Sequence, residues 1–397
     1  MNVQGSKLYN GIQLLTQWPP RRQALTREPM AVPYLASPPD VIPVDVGRQL
    51  FVDDFLIAET TLERTYHRAT FHPDNPILTY DRAWEQEGPA PFAMVFSDGV
   101  WHDPADGLFK MWYSGGYLAS TCYATSRDGV HWDKPLVGPQ GRTNLVKRHE
   151  RDSSTVWLDH REEDPDRRFK MFTTAREQDW RLALYSSPDG IRWSDRLALS
   201  PKVGDRSTVF YNPFREVWVY SLRASLPGTG RAREYREHPD PVAGMRWEET
   251  DKVPWVGADR LDSHHPKFPE IEPQLYNLDA VAYESLLLGL FSIHQGPPNQ
   301  ECDRLKIHKR NEVLLGFSRD GFHWHRPDRR PFLGVTEREG DWNWGNMQSA
   351  GGGCLVVGDQ LYFYVSGRKR SDGFRDGWGS TGLGTLRRDG FASMDAG

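Results

Sequence analysis

Ser126-Arg127-Asp128-Gly129-Val130-His131-Trp132 is the stretch on which the reading of the fold turns, because it returns. It recurs as Ser187-Pro188-Asp189-Gly190-Ile191-Arg192-Trp193 and as Ser318-Arg319-Asp320-Gly321-Phe322-His323-Trp324. Weaker copies stand at Gly244-Met245-Arg246-Trp247 and Arg388-Asp389-Gly390-Phe391. The five copies lie about 54 to 77 residues apart, the length of a four-stranded propeller blade with its loops. Asp-Gly between two strand-like runs reads as a tight turn in which Gly supplies positive φ. The Trp that follows is placed to pack between neighbouring blades.

A second repeat precedes each turn. Leu108–Tyr113, Phe169–Phe172, Val217–Tyr220, Leu286–Phe291 and Leu361–Tyr364 are short aromatic and aliphatic runs, hence strands. Before each lies a candidate innermost strand, at 92–102, 153–159, 206–211, 277–283 and 348–357. The expected architecture is therefore all-β, a five-bladed β-propeller. Its blades are expected at 75–145, 146–200, 201–258, 259–335 and 336–394, each ordered inner, second and third strand, Asp-Gly turn, outer strand. Residues 1–40 are Pro-rich and polar and read as an irregular N-terminal arm, with the propeller filling 41–397. The run Leu50-Phe51-Val52-Asp53-Asp54-Phe55-Leu56-Ile57 reads as a strand that closes the ring on the last blade, with Asp53-Asp54 at a strand edge.

Composition agrees. The 397 residues are 38% hydrophobic, 12% aromatic and 26% charged, with 15 Trp, 36 Gly and 29 Pro. That is a globular chain of many strands and turns. A net charge of -5 argues against nucleic acid, whose phosphates call for a basic footprint. Cys122, Cys302 and Cys354 form no disulfide framework and no zinc pattern. The first residues do not read as a signal peptide and no run is apolar enough to span a bilayer, so no membrane partner is expected. The expected compartment is the cytoplasm, with export of a longer precursor left open. A homo-oligomer and a structural Ca²⁺ on the axis are left open; no metal site and no cofactor are expected.

The blade repeat resembles the five-bladed glycosidase propellers of glycoside hydrolase families 32, 43, 68, 117 and 130. The strings LFVDDFLI, YNLDAVAYES and NEVLLGFSRDGFHW are most similar to bacterial proteins labelled family-32-like. The resemblance covers roughly residues 45–394 and implies glycosidase chemistry on a carbohydrate substrate. It departs at Trp84–Ala90, where family 32 carries an Asn-Asp-Pro-Asn type motif and this chain has no Asp. Blade three offers no evident Glu to complete the Asp, Asp, Glu trio of family 43.

In a propeller the starts of the inner strands and the loops between second and third strands share one end, so their residues face one funnel. The strand starts contribute Trp84, Glu85, Glu87, Asp152, Asp205, Asn277, Asp279, Trp344, Asn346 and Gln348. The loops contribute Arg176, Arg223, His294, Glu312 and Arg368. Glycoside hydrolysis needs two carboxyl groups, one ionised and one protonated. The catalytic candidates are thus Asp152, Asp205, Asp279 and Glu312. Candidates for binding substrate are Trp84, Glu87, Arg223, His294, Trp344, Asn346, Gln348 and Arg368, since sugar rings stack on Trp and their hydroxyls bond amides, His and Arg. The adjacent His264 and His265 would point to opposite faces of a strand and make a poor metal pair. The expected function is a glycoside hydrolase acting on a plant or microbial oligosaccharide. The alternatives are a glycoside phosphorylase, with Arg holding phosphate, and a carbohydrate-binding propeller without catalysis.

Overall fold

The computed structural model describes residues 5–21, 24–349, 351–370 and 377–396. Five sheets stand around one axis as a five-bladed β-propeller. Blade one is built from Ala93–Asp103, Leu108–Gly115, Ser120–Ser126 and Leu145–Arg148, and blade two from Arg151–Leu158, Phe169–Arg176, Trp180–Ser187 and Ala198–Lys202. Blade three comprises Thr208–Asn212, Val217–Leu226, Gly230–His238 and Val253–Gly257. Blade four has Gln274–Tyr283, Leu286–Gly296 and Arg310–Ser318. Its expected outer strand is reduced, among the described residues, to isolated bridges from Val313 to Leu333 and from Phe317 to His325.

Blade five consists of Gly345–Ser349, Gln360–Lys369 and Trp378–Arg387, and its outer strand is Thr70–Phe71. The ring thus closes with a strand from early in the chain, but not the expected one. Residues 50–57 form no strand. One of their two carboxylates is a reason: Asp53 is buried and grips the Arg319 guanidinium through two contacts of 2.9 Å. Asp53 is therefore a latch to the blade-four turn, not a strand-edge feature. A further pair, Glu63–Tyr66 with Ala392–Asp395, seals the seam. Of residues 5–40, the described ones contain one short helix, Pro33–Ala36, and a Lys7–Gln13 bridge. They lie against blades three and four, where Tyr9 stacks on Phe214 at 4.4 Å and Asn10 donates to the Arg319 carbonyl.

The repeated turns have a common chemistry. Gly129, Gly190 and Gly321 take φ of +78°, +75° and +83°. In each turn the Asp carboxylate accepts from the two N–H groups that follow the Gly: Val130 and His131, Ile191 and Arg192, Phe322 and His323. The Ser hydroxyl accepts from the Gly N–H. Local side-chain bonds of this kind fix a turn without help from the rest of the fold. Each turn then docks on the preceding blade. Tyr364 donates to the Gly129 carbonyl, Trp112 to that of Gly190 and Trp255 to that of Phe322. Trp132, Trp193 and Trp324 follow the third strands of three different blades, and Trp132 meets Tyr364 across the blade boundary. No helix among the described residues is long and apolar enough to cross a membrane.

Candidate active site

Antiparallel pairing sets the geometry of the funnel. It puts the start of each inner strand opposite the end of the second strand: Gln274 opposite His294, Gly345 opposite Arg368, Arg151 opposite Ala175. The register slips at four of these inner strands, between Met94 and Gly99, Arg151 and Ser154, Leu275 and Asn277, and Gly345 and Gln348. Bulges re-aim side chains, and here they collect polar groups around the axis.

Asp152 sits in the blade-two irregularity and is only 7% exposed. Its Oδ1 has no hydrogen-bond partner, and the Arg206 guanidinium stands 3.7 Å away. Burial, reinforced by the charge of Asp205, pushes its carboxyl up to about 7 against the pull of Arg206 and Arg151. Asp205 opens the corresponding stretch of blade three. Its side chain is 40% exposed and lies 3.5 Å from Arg223. The two carboxyl groups thus differ in environment while one feels the other, the pattern that separates an acid from an ionised partner.

Asp279 lies deeper. Its Oδ2 accepts from Ser97 at 2.8 Å and from Asn277 at 2.9 Å. Ser97 is the hub of the floor: it is fully buried, adopts φ +62°, and also contacts Asn277 and Arg206. Beside it Asp98 and Arg151 form a buried bidentate pair at 2.6 and 2.9 Å. Ser97, Asp98, Arg151, Arg206 and Arg233 were not among the sequence candidates. A signal for the first two exists in Ser97-Asp98-Gly99, a Gly inside an otherwise apolar strand, which marks a bulge.

Blades four and five carry an amide ladder. His294 Nδ1 is 3.1 Å from Asn311 Oδ1, Asn311 donates to Asn346, and Gln348 donates to Asn346 at 2.9 Å. Asn346 Nδ2 and Gln348 Oε1 are buried without a partner. Arg368 is buried over the rings of Phe92 and Phe96, and Arg206 covers Phe96 at 3.7 Å. Asp152, Asp205, Asp279, Arg223, His294, Asn346, Gln348 and Arg368 therefore belong to the inner ends of the blades.

Four candidates do not join them. Glu312 follows Asn311 on a strand, so its side chain takes the other face. There it is buried against Arg310 at 2.7 Å, Gln295 at 3.1 Å and the Val335 N–H, an internal ion pair and no part of the carboxylate group. Trp84 donates to Asn144 at 2.8 Å within blade one. Glu87 is exposed and paired with Arg148. Trp344 packs against His308 with its ring plane tilted by 40°. Glu85, expected among the strand starts that face the funnel, is instead fully buried and bonds Tyr113 and Lys134.

No family model and no curated protein matches the chain. Solved structures do. A thermostable family-43 glycoside hydrolase superposes with a TM-score of 0.51 at 10% identity, over 74% of this chain and 90% of its own. The chain has that fold. A family-43 protein of Bacillus licheniformis, in a mutant form, gives the same score and identity over 84% of this chain and 57% of its own. At 10% identity these likenesses show a shared fold, and the family-32-like label gains no support from them.

Proposed function

We propose that the chain is a glycoside hydrolase that cleaves a plant or microbial oligosaccharide or glycoside in the funnel. The observation that carries this reading is Asp152: a buried carboxyl with an unbonded oxygen, held near pH 7 beside a second carboxylate. At neutral pH part of Asp152 is protonated and able to donate to the glycosidic oxygen, while Asp205 serves as the ionised partner that meets the developing positive charge or activates water. Asp279, tied to Ser97 and Asn277, positions the floor. Asn346 and Gln348 offer an unpaired donor and acceptor to sugar hydroxyls. The fold shared with a thermostable family-43 glycoside hydrolase supports the same reading.

The test is a set of amide variants. Asp152→Asn and Asp205→Asn keep shape and remove proton transfer, an effect worth about 10²–10⁴-fold in rate. Each is checked for wild-type melting and assayed on aryl glycosides and oligosaccharides, with and without phosphate. Near-full activity in both folded variants would overturn the assignment. Sugar binding by wild type with no turnover of any substrate would point instead to a binding propeller.

A further inference from the structure

Beside the Asp152 carboxyl lies a guanidinium group that faces it without bonding it. Asp152 Oδ1 and Arg206 Nη1 are 3.7 Å apart, and neither atom makes a hydrogen bond. The surroundings of Arg206 hold it at that separation. Its Nη2 donates to Ser97 Oγ at 3.2 Å, its face lies 3.7 Å from the centre of the Phe96 ring, and its carbonyl accepts from Arg233. Ser97 is fixed in turn. Its hydroxyl donates to Asp279 at 2.8 Å, so toward Arg206 and Asn277 the oxygen accepts. Arg206 is 1% exposed and Ser97 fully buried, against 7% for Asp152. A sugar in the funnel can therefore meet Asp152 but not the two residues behind it.

A general acid has to satisfy two opposed demands. It must keep its proton until the glycosidic bond breaks, and its carboxylate must be tolerable afterwards. A guanidinium in direct hydrogen bond to the carboxyl favours the ionised form and removes the acid; with no cation near, the buried carboxylate is costly. The observed spacing lies between these. When the C–O bond breaks, its electron pair goes to the leaving oxygen, which takes the Asp152 proton and leaves the negative charge on Asp152. A movement of less than about 1 Å would then turn the 3.7 Å approach into a charge-assisted hydrogen bond.

We propose that Ser97 and Arg206 are positioning residues for Asp152: Ser97 holds the guanidinium one short step from the carboxyl, where it steadies the carboxylate formed on proton transfer without displacing the proton beforehand. The inference rests on the reading of Asp152 as the acid. The other charges that face Asp152 are Arg151 on its own strand, which Asp98 of blade one holds, and Asp205 of blade three, which lies against Arg223. The Glu150–Arg176 pair stands further out on blade two, and Arg233 and Asp279 lie on the far side of Arg206 and Ser97. Of the two guanidinium groups that pull the Asp152 carboxyl down, Arg206 pulls harder.

The two residues pull the titration of Asp152 in opposite directions, and general damage to the floor would not. In the full chain with carbon-13-labelled aspartate, the Asp152 carboxyl resonance, identified by its loss in Asp152→Asn, is followed against pH in wild type, Arg206→Gln, Arg206→Lys and Ser97→Ala. Without the guanidinium charge the carboxyl keeps its proton longer, so Arg206→Gln should move the midpoint up by about one pH unit or more, and Arg206→Lys less. Without the Ser97 hydroxyl, Arg206 is free to close on Asp152, so Ser97→Ala should move it down. An unchanged or raised midpoint in Ser97→Ala overturns the proposal whether or not the Arg206 variants fold, and an unchanged midpoint in folded Arg206→Gln does so equally. On a glycoside that wild type cleaves, the alkaline limb of the rate profile should follow the same two shifts, and Arg206→Gln should lower kcat rather than raise KM; a loss confined to KM would place Arg206 on the substrate and overturn its positioning role. Turnover with no shift in the titration would sink this inference and leave the hydrolase standing. The opposed shifts with no turnover of any glycoside would do the reverse.

Discussion

Asp152 is asked to be both buried and acidic, and the two demands have a thermodynamic signature. Its carboxyl titrates near 7 in the folded chain and near 3.9 in an unfolded one. Between those values the folded state holds a proton that the unfolded state has released, so this group's contribution to stability falls as pH rises through that window and is flat above it. Asp152→Asn removes the ionisation. The variant should therefore melt increasingly above wild type as pH goes from about 4 to about 8, by calorimetric scans at both ends. An unchanged difference in melting temperature across that range would show that Asp152 is not held protonated. The sequence placed Asp152 and Asp205 at matching strand starts because Asp-Ser-Ser-Thr-Val and Asp-Arg-Ser-Thr-Val are visibly alike. It did not mark Arg206, one residue from Asp205, because an arginine's partners are set by cross-blade distances that no local pattern carries.

At the scale of elements, the inner strand of blade one is the most informative departure from regularity. Its register breaks between Met94 and Gly99, and the break brings Ser97 to Asp279 and Asp98 to Arg151. Gly99 makes this possible: it adopts φ +128°, and a Cβ there would stand 2.6 Å from the Val156 carbonyl oxygen of blade two. Gly99→Ala is expected to destabilise the chain by about 1–3 kcal/mol, measured by urea unfolding, and to depress activity beyond its effect on melting because Ser97 and Asp98 move with it. Wild-type stability and rate in the variant would refute the role given to the bulge. Glu312 teaches the complementary lesson. It stands near the head of a third strand, Arg310–Ser318, and one residue of alternation decides whether Asn311 or Glu312 takes the face that meets His294 and Asn346. The irregularities in pairing that fix this parity are not written in the hydrophobic pattern. The Asp-Gly turns were legible for the opposite reason: every bond that defines them lies within about six residues.

For the whole molecule, the ring depends on a latch as well as on blades. Arg319 in the blade-four turn and Asp53 on the N-terminal segment are both buried and bonded through two oxygens. Replacing Asp53 with Ala leaves the guanidinium buried without its counter-charge, a loss expected at about 3–5 kcal/mol. The midpoint of chemical denaturation reads it directly, and a shift worth less than about 1 kcal/mol would mean that the latch is solvated. LFVDDFLI has a strand's apolar content, whereas its Asp53 commits it to a side-chain contact 266 positions away in the chain, which no local pattern shows. Blade number is unaffected, since five turns count five blades however the ring is closed.

The closing strand, Thr70–Phe71, pairs with a strand whose Thr385 is 315 positions further on. During synthesis at about 5–20 residues per second, it waits on the order of 15–60 s for its partner to appear. A long apolar strand exposed for that time would recruit neighbouring chains. Two residues, flanked by Arg68 and Pro73, offer too little edge to capture anything. The brevity of the ring's last strand thus serves the nascent chain more than the finished one: the seam is left to the element least able to aggregate while it waits.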